Sequence, residues 1–402
     1  MTTNAHAPAA PGEPTVSLRD PYPFFARKRS VAGVFRGTVM DYSKTPESML
    51  PKSEYSAMSF NAVNTVFRDS RVFSSRPYDK TIGLFMGPTI LAMGGKQHRD
   101  HRNLVSAAFK SKALAYWEPT IVRPICNALI DEFIDRGEAD LIGDFTFEFP
   151  TRVIARLLGL PDEDLPVFRT RAVQLISYHV NYERAFEASA ALKDYFVEQI
   201  EQRRSAPTED IIGDLVTAEI GGEKLDDEAI YSFLRLLLPA GLETTYRSSG
   251  NLLYLLLTHP EQFAALRADR DLIPQAIEEG LRFETPLTTV QRFITEDTEL
   301  EGVEIPARSV IGVCIGSANR DEGRWERAAE FDIFRKQLPH IAFAAGEHTC
   351  LGLHLARLET RVALECLLDR LTDIQLVTDD DPHIHGQPFR SPTALPATFR
   401  AK

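Results

Sequence analysis

Cysteine is scarce in this chain: four occur in 402 residues, Cys126, Cys314, Cys350 and Cys366, with no CxxC pair among them. So few thiols exclude a disulfide framework and point to a reducing compartment. Long apolar runs are also missing. The most apolar stretch, Phe233 to Leu257, is interrupted by Arg235, Glu243 and Arg247, so nothing reaches the ~18 to 20 apolar residues of a membrane span. The first sixteen residues, MTTNAHAPAAPGEPTV, fit neither a signal peptide nor a membrane anchor, and a cytoplasmic protein is expected. A basic excess is absent: 45 Lys and Arg face 57 Asp and Glu, a net charge of −12, which argues against a nucleic-acid binder. GPTILAMGGKQ lacks the spacing and the following Ser or Thr of a phosphate-binding loop. No internal repeat is present. What remains, 44% hydrophobic and 25% charged residues, is the composition of a packed globule.

Apolar residues recur at helical spacing from Asn61 to Phe73, Gln97 to Lys110, Ala113 to Asp135, Phe145 to Leu158, Leu165 to Arg204, Asp226 to Thr258, Glu261 to Arg267 and Pro274 to Phe283. Gly159 and Pro161 stop the fourth of these. Alternation and turn residues predict a β-rich patch from Val290 to Ala318, and a last long helix starts near Gly352. The Gly- and Pro-rich stretch RPYDKTIGLFMGPTILAMGG reads as a long functional loop. The start, up to about Val16, reads as a loose tail.

Three local signals carry chemistry. Cys350 in FAAGEHTCLG lies just before an amphipathic helix, where backbone N–H groups and a helix N-terminus stabilise a thiolate; taken alone, a Cys there is more often a small buried hydrophobe. Pro239, Gly241, Thr244 and Thr245 interrupt a helical pattern. Pro removes a donor, and Thr244 can bond back to the Ala240 carbonyl, which predicts a locally opened helix, with a merely kinked core helix as the plainer reading. Glu279 and Arg282, three apart, share one helix face, where an ordinary surface pair is worth ~0 to 1 kcal/mol.

In this order and spacing the segments resemble the cytochrome P450 family, from about Pro21 to Phe399. Phe343 to Gly352 match the haem-ligand signature F-G-x-G-x-H/R-x-C-x-G, with Ala344 in place of the first Gly. Ala240 to Thr244 match A-G-x-D/E-T; Glu279 and Arg282 match E-x-x-R, with Arg335 in EFDIFR as its partner; Asn319-Arg320-Asp321 match a further family motif. The resemblance implies one mainly α haem domain with a minor β region over residues 17–402, preceded by the 1–16 tail.

The resemblance also implies roles. Haem b (iron protoporphyrin IX) would be the cofactor, with Cys350 as the thiolate on iron, favouring O–O cleavage as such ligation does in P450s generally. Phe343, Gly346, Ala240 and Gly241 would flank the cofactor. His98, Arg102, Arg292 and His348 would meet its propionates, for which Arg is well suited. His98 and His101 could suggest a metal pair, but no third ligand accompanies them in sequence, which argues against zinc. Glu243 and Thr244 would be the acid–alcohol pair that delivers protons to O2. Glu279, Arg282 and Arg335 would form a buried ion network supporting the fold.

A hydrophobic substrate pocket would involve Ile82, Leu84, Phe85, Met86, Tyr178, His179, Leu238, Ala240, Leu287, Thr288, Thr289, Val290 and Phe389; Leu, Phe and Met at helical spacing are equally often core. The implied activity is insertion of one atom of O2 into a hydrophobic small molecule. Electrons would come from a separate ferredoxin (or flavodoxin) chain docking on a local basic cluster of Arg99, Lys110, Lys112 and Arg357, beside Arg102 and His354. A peroxide-using enzyme is an alternative against which Glu243 and Thr244 argue; a catalytically silent haem-binding protein is another. No membrane anchor and no nucleic-acid partner are expected.

Overall fold

The computed structural model describes residues 16–40, 53–106, 109, 111–176, 181–220, 223–379 and 381–402. The 1–15 part of the expected tail therefore lies outside the described residues, while Val16 packs against the cluster of Tyr22, Phe24 and Phe25. The fold is mainly helical with small sheets. Among the described residues no helix is long and apolar enough to cross a membrane.

Four helices position the site: α1 (Gly95–Ser106), α2 (Asp227–Thr258), α3 (Ile273–Phe283) and α4 (Leu353–Arg370). The 32 residues of α2 begin at Asp226, whose side chain accepts the Ala229 N–H at 2.7 Å. Asp227 and Glu228 follow in its first turn, where acidic groups favour the helix dipole. The helix buries Tyr231 through Leu238 and packs against both α3 and α4. The expected opening at Pro239 does not break it. A fixed φ near −65° is already helical, and the disturbance is limited to the donor that Pro239 lacks and a Thr244 hydroxyl bond to the Ala240 carbonyl at 2.9 Å.

Two other helices expected as single runs are divided. Ala113 to Asp135 becomes Ser111–Trp117, a wider π-type turn over Glu118–Val122 and Arg123–Asp131. Pro119 and Pro124 sit at those junctions, each lacking the N–H that a continuous ladder needs. Leu165 to Arg204 becomes Leu165–Ile176 and Tyr182–Ser205, the second capped by Asn181, which accepts from Arg184 N–H at 3.0 Å.

The β patch builds a five-stranded sheet of β1 (Val34–Arg36), β2 (Glu54–Ala57), β3 (Phe73–Ser74), β4 (Val290–Ile294) and β5 (Val310–Val313), in the order β1-β2-β5-β4-β3. β5 runs parallel to β2 and antiparallel to β4, pairing Ile311 with Arg292. A smaller sheet joins Leu371–Leu376, Pro396–Ala401 and Glu138–Asp140. The main core fills the space among α2, α3 and α4; a second cluster packs the five-stranded sheet against Phe60–Arg68.

Candidate active site

The loop before α4 is built to present one thiol. The Cys350 N–H donates to the Phe343 carbonyl at 2.9 Å, closing a turn in which Thr349 N–H and Oγ1 both donate to the Gly346 carbonyl, at 3.2 and 2.7 Å. Gly346 has φ +74°, and a Cβ there would stand 2.4 Å from the Phe67 carbonyl oxygen, so no other residue fits. Cys350 alone among the four cysteines is exposed; Cys126, Cys314 and Cys366 are buried. Although the side chain is open to solvent, the dense chain around it partly desolvates the sulfur and raises the Cys350 pKa, while the Gly352 N–H and the charges of Arg102 and Arg357 pull it down. Those three are the features that stabilise an anionic sulfur.

Ala344, where the signature has Gly, adopts φ +58°. A left-handed residue with a Cβ costs about 1–2 kcal/mol, partly offset by the greater unfolded-state freedom of Gly. Ala344→Gly is therefore expected to stabilise the chain by about 1 kcal/mol, read as a higher denaturant midpoint at unchanged slope. A lower midpoint would mean that the methyl, which packs against the sheet cluster, outweighs the strain.

Beside this loop lies an unusual set of donors. His98 in α1 is 1% exposed, yet neither ring nitrogen has a hydrogen-bond partner among the described residues. Its ring lies 4.2 Å from that of His348, whose Nε2 is 3.2 Å from Ser75 Oγ. Burial, then His98, Arg292 and Arg102, push the His348 pKa down to about 3. Arg292 in β4 is buried, spends one N–H on the Gln291 carbonyl and lies 5.4 Å over the Phe67 ring. Arg102 in α1 donates to the Thr349 carbonyl at 2.5 Å.

The pairing considered between His98 and His101 does not form. His101 Nδ1 faces the Gln97 carbonyl instead. A third ligand type does appear: His98, His348 and Glu347 bring ligand atoms within 4.8 Å of one another. Two guanidinium groups nearby disfavour a cation there and favour an anion. An exposed thiol next to the unpartnered His98 imidazole and the Arg102 and Arg292 guanidinium groups fits a metal-bearing group that also carries carboxylates.

In α2, Ala240 is the one exposed residue between Asp227 and Leu257, although it sits inside a buried helix. A Cβ on Gly241 would make only an ordinary 3.6 Å contact with Ile154, so packing does not force glycine there. Glu243 is 3% exposed; burial raises its pKa and Arg247, bonded at 2.5 Å, opposes the rise. Of residues 287–290, the first two meet the Phe389 segment: Leu287 and Phe389 form a β-bridge, and Thr288 N–H and Oγ1 both donate to the Pro388 carbonyl, while Thr289 is buried and Val290 packs against the sheet cluster.

Other pocket expectations divide. Phe85, Met86 and Leu238 belong to the main core, Ile82 packs against it, and Leu84, in the short helix Gly83–Met86 within the expected loop, is exposed. Tyr178, His179 and Lys110 lie outside the described residues.

Glu279, Arg282 and Arg335 form the expected network. Arg282 Nε and Nη2 each donate to Glu279 at 2.8 Å, and its remaining N–H groups reach the carbonyls of Asn319, Ala328 and Glu330. All five guanidinium donors are thereby used. Arg335 Nε and the Asp332 N–H share Glu279 Oε1, at 3.2 and 2.9 Å.

One expectation is overturned. Arg357 is not a free surface cation: Nε and Nη2 donate bidentately to Glu278 of α3, at 2.6 and 2.7 Å, and the group lies 4.6 Å over the Phe343 ring. Arg99, Lys112 and His354 are exposed.

The comparisons decide the family. A cytochrome P450 family model matches residues 168–388. The chain belongs to the cytochrome P450 family. It is 36% identical to cytochrome P450 107B1 of Saccharopolyspora erythraea over 297 residues, 74% of this chain and 73% of that one. Its structure matches cytochrome P450 CYP109Q5 from Chondromyces apiculatus with TM-score 0.86 and 34% identity, covering 96% of both chains. It also matches CYP109E1 from Bacillus megaterium, solved in complex with testosterone, with TM-score 0.84 and 29% identity over 94% of this chain and 99% of that one. The protein is thus a P450 oxidoreductase, and the family implies a haem-thiolate cofactor.

Three features of this P450 escaped sequence reasoning. Glu243 pairs with Arg247, four residues on, a spacing that could have shown it. Glu359 in α4 is buried with Oε2 unpartnered among the described residues, and burial pushes its pKa up to about 8; an acid in the middle of an apolar helical face was the available signal. Glu284 gathers Tyr22, Arg320 and Arg390 from three distant segments, for which the sequence carries no local sign.

Proposed function

We propose that the chain binds haem b through Cys350 and inserts one atom of O2 into a hydrophobic small molecule, with electrons supplied by a separate ferredoxin or flavodoxin. The observation that carries this reading is the Cys350 loop: one exposed thiol, an amide and two guanidinium charges acting on it, with the unsatisfied His98 imidazole, the Arg102 and Arg292 guanidinium groups and the neutral His348 ring alongside. His98, Arg102, Arg292 and His348 would meet the propionates. Haem, when bound, supplies oxygen activation, and Cys350 supplies its anionic sulfur ligand. Glu243, a buried acid whose pKa burial raises against the pull of Arg247, is the proton carrier of this reading, and the Thr244 hydroxyl one residue on can pass the proton. Leu287, Val290 and Phe389 offer an apolar wall that excludes water and holds a ligand by shape. The testosterone bound to CYP109E1 supports an apolar polycyclic compound as the substrate class.

Thr244→Ala tests the relay. It should leave the haem spectrum and substrate-induced Soret shift unchanged while lowering product formed per NAD(P)H by roughly tenfold or more, with hydrogen peroxide appearing instead. Unchanged coupling would show that Thr244 does not pass the proton.

The donor would dock around Arg99 and Lys112, where an acidic ferredoxin finds complementary charge screened by salt. Arg99→Glu should slow stopped-flow reduction at low ionic strength by about tenfold and have little effect at high salt. Wild-type reduction at low salt would place the donor elsewhere. Arg357→Glu is no test, since it would set a second carboxylate against Glu278.

A further inference from the structure

Neither side chain of the proposed relay is free. Glu243 Oε1 accepts from Arg247 Nε at 2.7 Å and from Arg247 Nη2 at 2.5 Å. Thr244 spends its hydroxyl hydrogen on the Ala240 carbonyl. The remaining Arg247 terminal nitrogen, Nη1, leaves the helix and donates to Ser391 Oγ at 2.8 Å. The same guanidinium lies 5.6 Å over the Phe389 ring and 4.9 Å over that of Tyr246.

Ser391 and Phe389 belong to the returning segment 385–391, which bridges to itself at His385–Ser391 and to the apolar wall at Leu287–Phe389. One guanidinium therefore touches the relay acid on one side and a wall of the proposed pocket on the other. Glu243 is 3% exposed, so a double charge-assisted bond from Arg247 is strong there and is not readily exchanged for water.

We propose that Arg247 is a positioning residue that holds Glu243 away from Thr244 until a ligand packing on Phe389 displaces the 385–391 segment. The proposal rests on the reading of Glu243 and Thr244 as the proton relay. When Ser391 and the Phe389 ring move, Arg247 loses its outer anchors and Glu243 gains the freedom to turn toward Thr244. A ligand shifts that balance only by binding the displaced segment better than the resting one. Compounds that occupy the cavity without touching Phe389 then bind without releasing the acid. Substrate recognition and proton delivery are joined in this way through a single side chain.

The test uses haem-loaded wild type, Arg247→Ala, Arg247→Lys, Ser391→Ala and Glu243→Gln, without substrate, reduced by a surrogate ferredoxin and its reductase in saturating excess. Three quantities are read: the NADH oxidation rate, its solvent deuterium isotope effect, and amide hydrogen exchange across 385–391. Arg247→Ala and Ser391→Ala should speed exchange in that segment, raise NADH oxidation by about fivefold, the low end of a typical coupling, and lower the isotope effect, with the ferrous–CO spectrum intact. Arg247→Lys keeps the charge but cannot hold both partners and should fall between. If Arg247→Ala speeds exchange while leaving rate and isotope effect unchanged, the contact is only structural and the lock is overturned; unchanged exchange overturns it as well. A wild-type rate and isotope effect in Glu243→Gln instead removes Glu243 from the relay, a failure of the proposed function that is separate from any result at Arg247.

Discussion

Cys350→Ser is expected to abolish the red-shifted thiolate band of the ferrous–CO difference spectrum. Oxygen-insertion activity should fall by more than the roughly 100-fold that loss of an outer contact to a metal ligand costs. Serine keeps the size of the side chain and its backbone bond to Phe343, so the loop should still form. It loses the soft anionic sulfur: an alcohol at neutral pH does not ionise under the pull of the Gly352 N–H, Arg102 and Arg357, which together act on the Cys350 thiol. No other thiol can take over, because Cys126, Cys314 and Cys366 are buried in helix contacts or behind the sheet. The measurement is the difference spectrum of the purified variant, beside the haem content per chain. A retained thiolate-type band would remove Cys350 from the iron and with it the proposed cofactor geometry.

How much of this was legible depended on whether the signal was local. The turn from Phe343 to Gly352 could be read because its geometry is written in adjacent residues: Gly346 where φ must be positive, a thiol, then an apolar-striped helix. Thr244 bonding back to Ala240 was likewise a four-residue matter. The breaks at Pro119 and Pro124 were written in the sequence but outweighed there by the apolar residues recurring at helical spacing on both sides of the π-type turn. Partners far apart in the chain were not legible. Arg357 looked like a surface cation because Glu278, 79 residues earlier, is brought beside it only by packing of α3 on α4. Ser391 meets Arg247 across 144 residues for the same kind of reason. Periodicity also could not separate a pocket wall from a core: Leu238, Phe85 and Met86 turned inward, whereas Leu287 and Phe389 met at a bridge that only the returning chain creates.

Glu279→Ala should be the most damaging change away from the thiol. Glu279 is 1% exposed and accepts from Arg282, Arg335 and the Asp332 N–H. Removing it leaves two guanidinium groups buried at 2% and 8% exposure without a counter-charge, a loss of about 3–5 kcal/mol from a total stability of about 5–15 kcal/mol. The consequence should reach the thiol loop. Arg282 and Arg335 hold the irregular segment 319–335 through its carbonyls, and Asn319 Oδ1 in that segment accepts the Ile341 N–H at 2.8 Å, where the loop toward Cys350 begins. The expected result is a chain that retains little haem and unfolds at much lower temperature or denaturant than wild type. Glu330→Ala is the control. Its side chain pairs with Arg327 in solvent, while the network uses only its carbonyl, so the change should stay within about 1 kcal/mol. Haem content and unfolding midpoints of the two variants decide it. A Glu279→Ala protein with wild-type midpoint and haem, or a Glu330→Ala protein equally impaired, would show that the segment is held by apolar packing and not by the ion network.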